Sequence, residues 1–173
     1  MQVRSLLAAA LGVSLLLAGA ARADDKAKPA DVVPDRMPFD IPYGAPISLE
    51  KAKGAIDSAI AEARKRGWKM DAAVVDPSGN LVAFERMDGA QNGSIVIAEH
   101  KARTAALFRR ETKVFELAVQ GGAVGALSLD GVIASRGGIP LIVDGKIIGA
   151  IGCSGGVNTQ DEATCQAGAA TIE

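Results

Sequence analysis

The only histidine of this 173-residue chain, His100, stands in the segment EHKARTAALFRRET at positions 99–112. An imidazole can carry a proton near neutral pH and is a common metal ligand, so this residue is the first candidate for chemistry. Four basic side chains follow His100 within the segment, and cations of this kind bind carboxylates and phosphates. The segment is therefore either part of a ligand site or the polar side of an ordinary helix.

The stretch 94–108 predicts a helix with two different sides. One side is an apolar stripe at helical spacing, expected to lie on a sheet, formed by Ile95, Ala98, Ala102 and Ala105. The opposite side mixes polar and apolar groups: Val96, His100, Thr104 and Leu107, with Lys101 and Phe108 at its margin. Because a solvent-facing side normally carries charges, this mixture predicts a covered surface, which is either a subunit contact or a seat for a flat apolar ligand.

A flat apolar ligand of this kind would be haem, which needs an apolar plate, cations for its propionates and an axial donor. The candidate iron ligands are His100 and Met87. The candidate propionate partners are Lys101, Arg103, Arg86, Arg109 and Arg110. Aromatic residues make up only 3% of the chain, which favours a shallow, partly exposed site over a deep haem pocket.

Other chemistries have less support in the sequence. The segment GCSGG, residues 152–156, matches the G-x-S-x-G pattern of hydrolase nucleophiles, but the only histidine precedes Ser154 instead of following it. The same glycine-rich segment, with a helix after it, could instead hold an anion on its backbone N–H groups. A single histidine excludes an H-E-x-x-H zinc site, and a net charge of −1 gives no electrostatic case for nucleic acid.

The surrounding elements predict an α+β fold with an antiparallel sheet flanked by helices. A helix from Ser48 to Gly67 precedes a hairpin with strands 72–75 and 81–86, and a short helix at 113–119 follows the His100 helix. A second hairpin, 139–143 and 146–153, turns at Asp144-Gly145. In its second strand, Ala150 and Gly152 form a flat face, on which we expect the closing helix to pack, with Thr159 and Glu162 as its capping box.

The N-terminal region predicts export. Residues 1–23 have a basic start, an apolar run and an Ala-Arg-Ala cleavage site, as secretory signal peptides do, and the run is too short for a membrane anchor. Residues 24–47 hold five of the seven prolines and predict a linker or surface-hugging arm, so the folded domain is expected to span 48–173. In a periplasmic or extracellular compartment, Cys153 and Cys165 could form a disulfide, although the sequence does not require it.

Four segments in register resemble the GlcG/HbpS-like haem-binding (haem-degrading) family, which also occurs as the C-terminal domain of PduO-type proteins. They lie within residues 47–173 and are ISLEKAKGAIDSAIAEARKRGWKMDAAVVDPSGNLVAFERMDGA, KARTAALF, GGIPLIVDGKIIGAIGCSGG and DEATCQAGAA. The resemblance implies an antiparallel sheet flanked by helices, layered as in profilin and PAS domains, with a tendency to homo-oligomers and haem or a related tetrapyrrole as ligand. It associates Thr104 with haem as a contact and places Lys101 in the same motif, whereas His100 stands just outside it.

The leading hypothesis is therefore an exported, oligomeric protein that binds haem on the 94–108 helix, in haem sensing, sequestration or turnover. The alternatives are an enzyme that degrades haem or acts on another small molecule, a module that binds a small metabolite or corrinoid, and a purely structural oligomer. We identify no acid–base pair in the sequence that would carry haem breakdown, so a binding protein is favoured over an enzyme.

Overall fold

The structure, a computed structural model, describes residues 33–173, of which residues 37–173 form one compact unit. The predicted signal peptide, 1–23, and the first part of the proline-rich arm lie outside the described residues. The elements in chain order are α1 (Leu49–Lys65), β1 (Asp71–Val75), β2 (Leu81–Arg86), α2 (Ser94–Leu107), α3 (Thr112–Gln120), a short 3₁₀ helix (Val124–Ser128), β3 (Gly138–Val143), β4 (Lys146–Ser154) and α4 (Asn158–Ala169). The predicted α+β fold with an antiparallel sheet flanked by helices is confirmed.

The sheet joins the two predicted hairpins side by side in the order β2-β1-β4-β3. The hairpins meet where β1 runs antiparallel to β4, with Asp71 opposite Ser154 and Val75 opposite Ala150. Both central strands are almost entirely buried because helices cover the two faces of the sheet. The protein is therefore a three-layer structure, with helices on each side of the sheet.

One face of the sheet carries α1 and α4. Ser48 caps α1 by accepting a hydrogen bond from the Lys51 backbone amide, as expected for this residue type. The two helices pack closely, because a β-carbon added at Gly168 would lie 2.5 Å from the Ala55 carbonyl oxygen. A disulfide between Cys153 and Cys165 ties β4 to α4 on this face, so the pairing that the sequence left open is formed.

The predicted capping box of α4 is wrong. The helix starts at Asn158, and the Gln160 side chain accepts the Val157 backbone amide, whereas the sequence suggested Thr159 and Glu162. Glu162 does not cap the helix and forms an ion pair with Lys113 instead. A tertiary ionic contact at this position therefore replaces the local one that the spacing suggested.

The opposite face carries α2, whose alanine stripe lies on the sheet as predicted. Ala98, Ala102 and Ala105 are fully buried. A β-carbon at Gly152 would overlap the Ala98 carbonyl oxygen, so glycine is required for the close approach of α2 to β4. The flat Ala150 and Gly152 face does receive a helix, but that helix is α2 and not the closing helix that the sequence suggested, because these residues and the disulfide point to opposite faces of β4.

The last residues of the proline-rich arm lie along the sheet. Three backbone hydrogen bonds join residues 42–47 to residues 147 and 148 of β4, in the slot beside β4 where β1 has ended. The Tyr43 hydroxyl donates to the carbonyl oxygens of Ala106 and Leu107 at the end of α2. This part of the arm therefore hugs the surface and holds the C-terminus of the His100 helix in place.

Candidate functional site

The outward side of α2 borders a cavity of about 590 Å³. Two residues of the helix line it, His100 and Arg103, both exposed. The facing wall consists of Asp130, Gly131 and Val132, which belong to the connection between α3 and β3. Its volume lies within the range typical of small-molecule sites, and it brings together an imidazole, a guanidinium, a carboxylate and an apolar side chain.

Thr104 lies behind this cavity wall and is fully buried. Its hydroxyl donates a hydrogen bond to the Gly131 carbonyl oxygen at 3.0 Å and accepts one from the Ile133 amide at 3.1 Å. The Thr104 hydroxyl therefore faces the outer side of α2, which is the predicted side, and the connection between α3 and β3 covers it there. Its two hydrogen bonds hold this connection against α2.

Lys101 is also inside the protein, with 1% of its side chain exposed. Its ammonium donates to Asp161 Oδ2 at 2.6 Å and to the Cys153 carbonyl oxygen at 3.2 Å. Burial raises the pKa of Asp161, and the Lys101 ammonium acts against that shift, so the ionised pair depends on the lysine. The prediction that Lys101 lies at the margin of the outer side of α2 is therefore wrong. Its ammonium group points inward and bonds residues of β4 and α4.

Arg86 and Met87 lie elsewhere, at the end of β2. They line a separate cavity of about 270 Å³ that shares no residue with the cavity beside His100. The Arg86 guanidinium donates to the Ala90 carbonyl oxygen and to Asn92 Oδ1, which holds the turn before α2. The Met87 sulfur accepts the Met70 amide at 3.4 Å, and its side chain is largely buried. The structure therefore does not bring these two residues together with His100.

Arg109 and Arg110, the other predicted propionate partners, face the proline-rich arm. Arg110 stacks on the Phe39 ring at 3.5 Å from its centroid. Arg109 donates to the Ile41 carbonyl oxygen and lies over the Tyr43 ring. Of the basic residues in the opening segment, only Arg103 therefore lines the cavity beside His100.

Sequence reasoning missed a group of residues that fixes the facing wall of the cavity. Arg136 donates to both carboxylate oxygens of Glu116, through its backbone amide and its Nε, each at 2.8 Å, and its Nη1 donates to Glu162 Oε2 at 3.2 Å. Asn158 donates to Glu116 at 2.9 Å. Burial by itself raises the pKa of Glu116, but these hydrogen bonds outweigh it, and the pKa is lowered.

The described residues show neither a polydentate protein metal site nor a membrane span. Within 33–173, no three His, Cys, Asp or Glu side chains gather in a way that could hold a metal ion. In the same part of the chain, no helix is long and apolar enough to cross a bilayer.

Comparison with known proteins places these features in a family. Residues 47–170 match the profile described as "Haem degrading protein HbpS-like". The chain is 41% identical over 108 residues to Protein GlcG of Escherichia coli strain K12, which covers 62% of this chain and 81% of that protein. The range that matches the family, residues 47–170, includes the sheet, helices α1 to α4 and the residues that line the cavity beside His100.

Two solved structures show the same fold. The HbpS double mutant of Streptomyces reticuli superposes with a TM-score of 0.70 at 28% identity, covering 84% of this chain and 99% of that chain. A structure described as a PduOC:heme complex superposes with a TM-score of 0.68 at 27% identity, covering 75% of this chain and 96% of the other. One of the structures that share this fold was thus solved with haem bound.

Proposed function

This chain belongs to the HbpS-like family, and from that premise we propose that it binds haem in the cavity between α2 and the connection from α3 to β3. The observation that carries the proposal is the convergence of His100 and Arg103 on that cavity. An imidazole is a standard axial donor to haem iron, and a guanidinium pairs with propionates in a bidentate manner. A related protein of the same fold was solved as a haem complex, which supports the choice of ligand.

The residues around the cavity fit haem in chemistry as well as in position. Val132 lines the wall, and Val96 lies exposed on the same side of α2 as His100, one turn away, which provides apolar surface for a porphyrin. Asp130 is the one lining residue that would repel a propionate, so we expect the propionates at the Arg103 end of the cavity. Bound haem would supply iron for ligand binding or electron transfer, while this chain would position it and limit its exposure to water.

The partly exposed histidine favours a protein that takes up and releases haem over one that holds it permanently. The cavity is shallow, with no phenylalanine, tyrosine or tryptophan among its lining residues, so little apolar area would be buried around the porphyrin. Sensing or sequestration agrees with such a site. Buried Lys101 and Thr104 would then contribute by holding the walls in place.

We propose that the protein works outside the cytoplasm. The signal-peptide pattern of residues 1–23 supports export, and the disulfide between Cys153 and Cys165 supports an oxidising compartment, where such bonds persist. Self-association is proposed on the exposed apolar side chains of α3, Val114 and Leu117. Light scattering on the mature protein at several concentrations would test self-association.

Hemin titration of the mature protein tests the binding proposal. We expect a saturable shift of the Soret band, weakened at least about tenfold by His100→Ala and less strongly by Arg103→Ala, where tenfold corresponds to about 1.4 kcal/mol. Met87→Leu is the matched control, because Met87 is a potential iron ligand that lines the other cavity. An unshifted band, or equal weakening by Met87→Leu and His100→Ala, would contradict the assignment.

Haem degradation is a second candidate, favoured by the description of the matched family and by the presence of Asp130 with His100 in one cavity. With His100 on the iron, the Asp130 carboxyl group could hold and deliver a proton, which oxidative ring opening requires. Loss of the Soret band on adding reductant and oxygen, with catalase present to remove peroxide, would support it. A band that persists through that treatment supports binding alone.

A further inference from the structure

The connection between α3 and β3 is a surface segment that contributes no buried side chain. None of the residues from 123 to 136, here called the strap, is buried, whereas the residues that follow it, Gly137 to Ile139, are. The 3₁₀ helix within the strap exposes Val124 and Leu127 to more than 60%. Segments with so few buried contacts open at a lower free energy than the core does, so the strap is expected to open independently of the sheet.

The N-terminal end of the strap can change direction, whereas its C-terminal end is fixed. At the C-terminal end, Gly137 is buried and its carbonyl oxygen accepts the Cys153 amide at 2.8 Å, which ties it to β4. At the other end, a pair of glycines precedes the strap, with φ of 91° at Gly122. A side chain at Gly122 would meet no neighbouring atom, so this end is sterically free to rotate. Side-chain-free residues are well suited to absorb the φ and ψ changes of a hinge.

Two groups of contacts hold the closed position, one in the middle of the strap and one at its end, where the Ser135 hydroxyl also donates to Asn158 Oδ1 at 3.1 Å. In the middle of the strap, the Thr104 hydroxyl bonds the Gly131 carbonyl oxygen and the Ile133 amide. At its end, Arg136 binds Glu116 of α3 and Glu162 of α4, with Asn158 completing the contacts to Glu116. The first group uses neutral hydrogen bonds, while the second includes charge-assisted bonds that are about twice as strong. The contacts of Arg136 are therefore expected to contribute most of the free energy that keeps the strap closed.

The strap also forms one wall of the cavity beside His100. Three of the five lining residues belong to it, namely Asp130, Gly131 and Val132, while the other two belong to the rigid helix α2. Movement of the strap would therefore widen the cavity on one side only. It would also break the two hydrogen bonds of Thr104 and uncover the Thr104 hydroxyl beside the ligand.

We propose that the strap is a gate for the ligand cavity and that Arg136 is its latch. Arg136 is a positioning residue that touches no ligand: it holds the wall of the cavity through Glu116 and Glu162. The part of the proposal that concerns ligand entry rests on the haem-binding function proposed above, whereas the opening of the strap does not. In the closed state Thr104 faces the strap, and in the open state it faces the cavity.

Hydrogen–deuterium exchange on the full mature protein without ligand tests the gate directly. We expect peptides within 123–136 to exchange faster than those of β1 and β4, and Arg136→Ala to speed exchange in the strap about tenfold or more, the effect of losing a charged hydrogen bond. Arg136→Lys keeps the charge but loses the forked geometry, so an intermediate rate is expected. Arg66→Ala, which removes a surface ion pair with Glu62, is the control and should leave the strap unchanged.

Stopped-flow mixing with hemin then tests the role of the gate in entry. We expect a higher association rate in Arg136→Ala than in the wild type, with Arg66→Ala unchanged. Strap exchange that is unaltered by Arg136→Ala, or that rises equally in β1 and β4, would overturn the latch. Faster exchange with an unchanged hemin association rate would overturn the gating role, whereas failure of the wild type to bind hemin at all would overturn the proposed function and leave the exchange result standing.

Discussion

At the residue scale, the basic side chains of α2 have two different roles, one at the cavity and one in the interior of the protein. Arg103 and His100 point outward and line the cavity, while Lys101 points inward and forms a buried ion pair with Asp161. The second oxygen of Asp161 accepts the Gly156 amide at 3.0 Å, so the pair also fixes the turn after β4. Buried charges need such complete pairing because their desolvation is costly.

Replacement of Lys101 by methionine should therefore lower the stability of the fold, and it should not remove a side chain from the ligand cavity. We expect Lys101→Met to lower the free energy of unfolding by about 3 kcal/mol or more, since it leaves a buried carboxyl group without its partner. Urea unfolding followed by circular dichroism would measure this loss. Adding Asp161→Asn, which keeps an oxygen for the Gly156 amide, should recover part of the loss. A double variant as unstable as the sum of the two single variants would contradict the pairing argument.

At the element scale, the position of α2 depends on a contact between backbones. Gly152 of β4 lies directly below Ala98 and Ala102, and the small residues let the helix come closer to the sheet than leucine or valine would allow. The short distance between α2 and the sheet also determines how far the outward side chains of α2 lie from the sheet. The cavity beside His100 thus depends on a glycine on the other side of the helix.

Gly152→Ala should consequently push α2 away from the sheet. The added β-carbon would overlap the backbone of α2, and such overpacking costs about 1 to 3 kcal/mol. Gly54→Ala offers the matched control, because a β-carbon there meets nothing within 4 Å and alanine stabilises a helix interior by about 1 kcal/mol. Thermal unfolding of both variants would show opposite shifts in Tm, and a neutral Gly152→Ala would refute the close-packing argument.

At the scale of the whole molecule, the layers are joined by a few cross-links. The disulfide of Cys153 and Cys165 binds the sheet to α4, the Lys101 and Asp161 pair joins α2 to α4, and Arg136 connects the strap with α3 and α4. Each of these three cross-links includes a residue of α4, so this helix is the element to which the other layers are attached. The last part of the arm adds a fourth tie, along β4.

Loss of the disulfide should weaken the domain without changing its fold. The bond closes a loop of 12 residues, for which the chain-entropy estimate is about 3 kcal/mol of stabilisation. We expect a Cys153→Ala and Cys165→Ala double variant to unfold at lower denaturant concentration than the oxidised wild type, with an unchanged circular dichroism spectrum at low denaturant. The wild type unfolded in the presence of reductant should match the double variant. Equal stability of the oxidised and reduced proteins would count against a structural role for the bond.

The fold could be predicted largely from the sequence because its signals are local. Alternating apolar residues, the Asp144-Gly145 turn and the spacing of the α2 alanines each specify an element within a few neighbouring residues. The site was predicted only in part, as His100 and Arg103 line the cavity while Lys101 does not. A signal for the buried lysine was present, because Lys101 stands three residues after Ala98 and four before Ala105, on the apolar side of the helix.

By itself, then, the sequence determined the elements, their hairpin pairing and the family, all of which depend on short spacings or on motifs in register. Tertiary structure alone decided that α2 covers Gly152, that Arg86 and Met87 lie apart from His100, and that Asp130 and Val132 face it. These contacts join residues far apart in the chain, so no local pattern encodes them. They depend on how the layers pack, where desolvation of Lys101 and close approach at Gly152 determine which side of each element faces inward.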